Sequence, residues 1–222
     1  MYQLLQQGGA IMYVLLLLSI LATAIILLKL YQFYRSGLGR TAFIDQAVAA
    51  VQQGEHDQAL QILARQNNPV ARVLESAIRF GSDPAVSGHD VEAEVSRVGS
   101  GQIRTMESWL RGLSSIAHLS PLLGLLGTVT GMIAAFMNLE AAGSRVDPSI
   151  LSGGIWEALL TTAFGLTVAI PAMAAFYYLE GRVDQVRALM KDASVRILRE
   201  FGKTPHVDDR DDERIEDETH GL

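Results

Sequence analysis

Three long apolar stretches, residues 10–34, 112–138 and 153–179, constrain the chain more than any other feature. Each reaches or exceeds the roughly 20 residues that a helix needs to cross a bilayer. Hydrophobic residues make up 49% of the sequence and charged ones 19%, and the excess of apolar side chains is concentrated in these runs. In hydrocarbon each backbone N–H and C=O must be satisfied internally, so the runs predict an all-α integral membrane protein with three transmembrane helices.

Flanking charge predicts the orientation. Residues 1–9 carry no Lys or Arg, while Lys29, Arg35 and Arg40 lie at or beyond the end of the first run. Without a basic leader, that run reads as a retained span rather than a cleaved signal. Arg97, Arg104 and Arg111 precede the second run, and Arg182, Arg187 and Lys191 follow the third. Only Arg145 lies in the short loop between them, residues 139–152. The positive-inside rule therefore places residues 1–9 and 139–152 outside, with residues 35–111 and everything after the third span inside.

The first span carries Leu, Ile and Val around nearly its whole circumference and reads as an outer anchor facing lipid. Tyr31, Phe33 and Tyr34 are expected in an interfacial belt, with Lys29 extending its stem to the headgroups. Residues 41–66 predict two short amphipathic helices broken at Gly54, and Asn67-Asn68-Pro69 marks the next stop. His56 and His89 are expected in exposed turns. Residues 90–111 are expected to run as helix into the second span, with Gly99 and Gly101 as weak points. Beyond the third span, Val183, Val186, Met190, Ala193, Ile197 and Phe201 predict one apolar face of a helix over 180–204. Residues 208–218 hold eight acids and two arginines, equal to the whole net charge of −6, so residues 205–222 read as a disordered tail. The remainder is neutral and offers no basic footprint for nucleic acid.

The second and third spans carry stripes of small and polar residues. On the second these are Ser114, Ala117, Pro121, Gly124, Thr128, Gly131 and Ala135; on the third, Ala158, Thr162, Gly165, Ala169 and Ala172. Such faces either let helices pack closely within one subunit or line a shared opening in which threonine hydroxyls meet water or a partner. Glu157 is the only acid within the spans, and an ionisable group at that depth is a functional candidate; near a helix start it also complements the dipole. His118 reads as a neutral, hydrogen-bonded interface residue near the cytoplasmic boundary. Pro171 frees the Thr167 carbonyl and marks a kink or a hinge. Absence of cysteine excludes thiolate chemistry, and no Walker loop, metal-ligand cluster or nucleophile elbow is present. The reading is therefore non-enzymatic, with no cofactor.

SPLLGLLGTVTGMIAAF at residues 120–136 and GGIWEALLTTAFGLTVAIPA at residues 153–172 resemble the MotA/TolQ/ExbB proton-channel family, above all its ExbB branch. The resemblance implies a homo-oligomeric ring, five subunits in the family's model, with the second and third spans extended by long cytoplasmic helices. It implies an ExbD-like or TolR-like single-span partner with an intramembrane aspartate, and a TonB-like or TolA-like protein that receives the work. Matched position by position, the family's pore threonines fall on Thr128 and Thr162, and its pore-side glutamate on Glu157. Gly124, Gly131, Ala158, Gly165 and Ala169 accompany them along the implied proton pathway. The expected location is a bacterial inner membrane, with a periplasmic N-terminus and a cytoplasmic C-terminus. A TolQ-like role in envelope maintenance and a non-conducting scaffold are the alternatives.

Overall fold

The computed structural model describes residues 9–141 and 148–203, which form seven helices: α1 (Gly9–Arg35), α2 (Ala42–Gln52), α3 (His56–Ala64), α4 (Pro69–Gly81), α5 (Gly88–Glu107), α6 (Leu110–Ala141) and α7 (Pro148–Glu200). The expectations for residues 1–8, Arg145 and the acidic tail lie outside the described residues. The helices divide into two units. One joins the N-terminal segment to Tyr34 with Glu107–Val183, and the other joins Arg35–Met106 with the chain from Asp184.

The first unit contains the three helices long and apolar enough to cross a membrane. In α1 the buried residues are Met12, Leu15, Ala22, Lys29 and Phe33, a narrow line at near-heptad spacing, while Leu17, Ile20, Leu27 and Leu28 remain exposed. That pattern fits a helix touching protein along one seam and lipid elsewhere. Two expectations change here. Lys29 does not extend outward: it is 2% exposed, and its Nζ donates to Gln32 Oε1 at 2.9 Å and Ser108 Oγ at 3.2 Å. Phe33 is buried as well, leaving Tyr31 and Tyr34 as the exposed aromatics. Both corrections have one cause. Lys29 lies seven residues after Ala22 and four before Phe33, so the seam that buries its neighbours also takes up its stem.

The expected continuous entry into the second span is also corrected. α5 passes through Gly99 and Gly101 without interruption but ends at Glu107, and α6 starts at Leu110. Between them Trp109 adopts φ 68°, a left-handed conformation uncommon for a bulky residue. α7, in contrast, runs unbroken through Pro171 over its 53 residues, so the third span and the helix that follows it are one element.

In the second unit the short helices form as the turn signals require. Gly54 takes φ 79° between α2 and α3. Asn68 caps α4 by accepting from Val70 N at 2.9 Å, with Pro69 at the first helical position, where its missing N–H costs nothing. The core consists of large side chains, with Leu63, Leu74, Ile78, Val91 and Ile197 all at 2% exposure or less. Val186, Met190, Ala193 and Ile197 of the anticipated apolar face are buried here, and Val183 is buried in the first unit. Phe201 closes the end of the core against Gly81 and His56, whose ring centroid lies 5.2 Å away. His56 is thus half-buried at the start of α3 rather than exposed in a turn, because an aromatic from the end of the chain covers it. At the surface Arg97 grips Glu94 through two hydrogen bonds of 2.8 and 2.6 Å, which hold the Glu94 carboxyl below its usual range.

Candidate functional site

The two small-residue stripes meet each other along α6 and α7. A β-carbon added to Gly165 would lie 2.6 Å from Ser120 O and 3.1 Å from Gly124 Cα. One on Gly124 would lie 3.0 Å from both Thr161 O and Thr162 Cα, and one on Gly131 would lie 3.2 Å from Ala158 Cβ. One on Gly154 would overlap Ala135. Backbone therefore faces backbone, an approach that only glycine and alanine permit and that membrane helices use where burial of apolar area supplies no driving force.

Gly124, Gly131, Ala158 and Gly165 are thus brought together within one subunit, and Ala169 is buried in line with them at 3% exposure. The anticipated stripe on the second span resolves into two adjoining faces. Ala117, Gly124 and Ala135 are buried, whereas Ser114, Pro121 and Thr128 are half-buried at the margin. Four residues of the contact were absent from the sequence-derived set: Ser120, Gly127 and Thr161, all buried, and Gly154, half-buried. Ser120, Gly124, Gly127 and Gly131 repeat at intervals of four, three and four, so a signal for Ser120 and Gly127 was available. Thr161 was masked by its neighbour Thr162.

The hydroxyls differ in their bonding. Thr128 Oγ1 donates to Leu125 O at 2.6 Å. Thr161, 2% exposed, donates to Ala158 O at 2.7 Å and reaches across to Gly124 O at 3.3 Å. Thr162 Oγ1 is enclosed and has no partner among the described residues. Glu157 is half-buried, five positions before it on α7. His118 is exposed, with Nδ1 2.7 Å from Ser114 O one turn back. Pro171 is exposed, and the Thr167 hydroxyl bonds Ala163 O at 2.8 Å. Outside the contact, both helices present large apolar residues such as Leu122, Leu125, Val129, Leu159 and Ile170 to the surroundings.

Residues 65–192, which take in all of α6 and α7 as far as Asp192, match the model of the MotA/TolQ/ExbB proton channel family. The chain belongs to that family. Within it the likeness runs mostly to ExbB proteins. An ExbB homologue of Methanothermobacter thermautotrophicus is 31% identical over 183 residues, covering 82% of this chain and 63% of that one. An ExbB-like protein of Synechocystis is 33% identical over 217 residues, covering 90% and 80%. The Tol-Pal system protein TolQ of Haemophilus influenzae is 38% identical over 110 residues, covering 47% and 48%. The chain therefore spans less than two thirds of the first relative's length. It is thus a member of a proton channel family with, among its described residues, three helices long and apolar enough to cross a membrane.

Proposed function

We propose that the chain is the ring-forming subunit of an ExbB-like proton-driven motor in a bacterial inner membrane. Its N-terminus faces the periplasm, and its short-helix unit and C-terminus lie in the cytoplasm. Five copies enclose an ExbD-like single-span partner that supplies the intramembrane aspartate. Proton flow past Thr128, Thr162 and Glu157 drives work that a TonB-like protein delivers to outer-membrane transport. The observation that carries this reading is the Thr162 hydroxyl. An enclosed hydroxyl without a partner costs about 1–3 kcal/mol, so its retention beside a packed glycine contact points to a use in the assembled complex, as a bond to water or to the central partner. Neither threonine holds a charge, and Glu157 lies near one end of its span, so the titrating group at depth belongs to the partner.

The test is Thr162→Val in the complex reconstituted in liposomes, which preserves shape and removes the hydroxyl. Proton flux is expected to fall at least about tenfold, the equivalent of one hydrogen bond, with the ring intact. Unchanged flux and unchanged uptake would instead favour a non-conducting scaffold, the reading that the glycine contact within one subunit supports. The likeness to TolQ supports a third reading, a role in envelope integrity with TolR-like and TolA-like partners. Deletion of the gene separates it from the first: loss of TonB-dependent uptake supports the ExbB-like role, and detergent sensitivity with a division defect supports the TolQ-like one.

A further inference from the structure

Thr161 lies in a notch that the opposite helix leaves open. A β-carbon on Gly127 would overlap the Thr161 hydroxyl and lie 2.6 Å from its Cβ and 3.0 Å from its Cγ2, so the branched side chain occupies the space that a side chain at 127 would need. The same hydroxyl donates to Ala158 O on its own helix and reaches Gly124 O on the other. Elsewhere along this contact the projections are single β-carbons, Ala135 against Gly154 and Ala158 against Gly131, while Gly165 meets Gly124; only Thr161 inserts a branched, hydrogen-bonding side chain among them. A smooth contact leaves helices free to slide and turn, whereas a peg seated in a notch sets both their height and their rotation.

The consequence falls on the next residue. Successive positions on an α-helix are about 100° apart, so seating Thr161 in the contact fixes the direction of Thr162. A helical threonine can satisfy its hydroxyl on the carbonyl three or four residues back, and Thr161 does so on Ala158 O at 2.7 Å. Thr162 does not: its hydroxyl is enclosed and has no partner among the described residues.

We propose that Thr161 is the positioning residue of the pathway: seated against Gly127 and bonded across to Gly124 O, it sets the register of the third span on the second and, with it, the direction in which the enclosed Thr162 hydroxyl is presented. This deepens the proton-channel reading and rests on it.

The test uses the ring reconstituted with its single-span partner, and the natural absence of cysteine allows a clean register probe. A disulfide between Gly131→Cys and Ala158→Cys reports whether the two helices keep their height. Thr161→Val should keep the ring and the cross-link yet lower proton flux about tenfold, as expected for removal of one directing hydrogen bond. Thr161→Ser, which keeps the hydroxyl, should restore the flux. Gly127→Ala should abolish the cross-link, and Gly127→Ala with Thr161→Ala should regain it, since the space taken on one helix is released on the other. Normal flux in Thr161→Val, or low flux in Thr161→Ser, would overturn the directing role. A double variant no better than Gly127→Ala alone would overturn the peg and notch. Thr162→Val, run alongside, separates the two failures: if it alone loses flux, the channel reading stands and the positioning role falls, and if it too conducts normally, both fall.

Discussion

The membrane-spanning contact and the short-helix unit are held together by opposite means. In the short-helix unit Leu74, Ile78, Leu63 and Ile197 bury large side chains, and the apolar periodicity of each helix marks the face that is buried. Where α6 and α7 approach most closely the buried residues include Ser120, Gly124, Gly127, Ala158 and Gly165, while Leu122, Leu125, Leu159 and Ile170 are exposed. Water makes bulk the signal for burial; lipid tails, as apolar as leucine, remove that signal and leave closeness of approach to decide. A hydrophobicity profile therefore locates the core in one region and the exterior in the other.

The comparison can be broken at its strongest point by adding bulk to the glycine contact. Gly165→Leu should eliminate assembled protein in detergent extracts, because the first added carbon already meets Ser120 O at 2.6 Å and backbone cannot yield. Recovery of protein that assembles as the parent does would show that the contact is not close-packed. Removing bulk from the other region should be milder. Leu74→Ala is expected to cost about 2–5 kcal/mol, visible as a lower thermal midpoint of the short-helix unit in the full chain, with assembly retained. Asn68→Ala removes a cap from α4 and should cost about 1 kcal/mol by the same measurement. The smallest effect belongs to Glu94→Gln, since the pair with Arg97 is at the surface and water screens it. The Glu94 carboxyl is held below its usual range, so whatever stability it contributes is present above about pH 4.3, the ordinary glutamate value, and disappears as pH falls through its lower folded value. Any gap between this variant and the parent should therefore close in acid, and a gap that widens there would contradict the assigned cause.

What the sequence made legible follows the same division. The three spans, the breaks at Gly54 and Asn68 and the face running from Val183 to Ile197 were readable because length, turn chemistry and apolar period report them directly. Lys29 was misread because a basic residue at the end of a span looks the same whether its seam faces lipid or protein. The interruption at Ser108–Trp109 carried no glycine or proline to announce it, and the glycines that did stand nearby were absorbed into α5. The small residues were recognised as faces, but spacing alone assigned Ser114, Pro121 and Thr128 to the same line as Gly124. Helical periods of 3.5 and 3.6 diverge by only about 20° per heptad, so neighbouring lines over five turns are hard to separate from spacing. Thr161 required coordinates, since nothing in a Thr-Thr pair says which hydroxyl is spent on packing and which is left over.

The bare contact also limits how the protein can change. Gly124, Gly127 and Gly165 each already carry the smallest side chain that exists, and a single added carbon at any of them collides at 3.0 Å or less. Such positions have no acceptable neighbour one step away in the genetic code. In a saturation library selected for working protein they should return glycine alone, and a gain in stability must be sought elsewhere in the molecule.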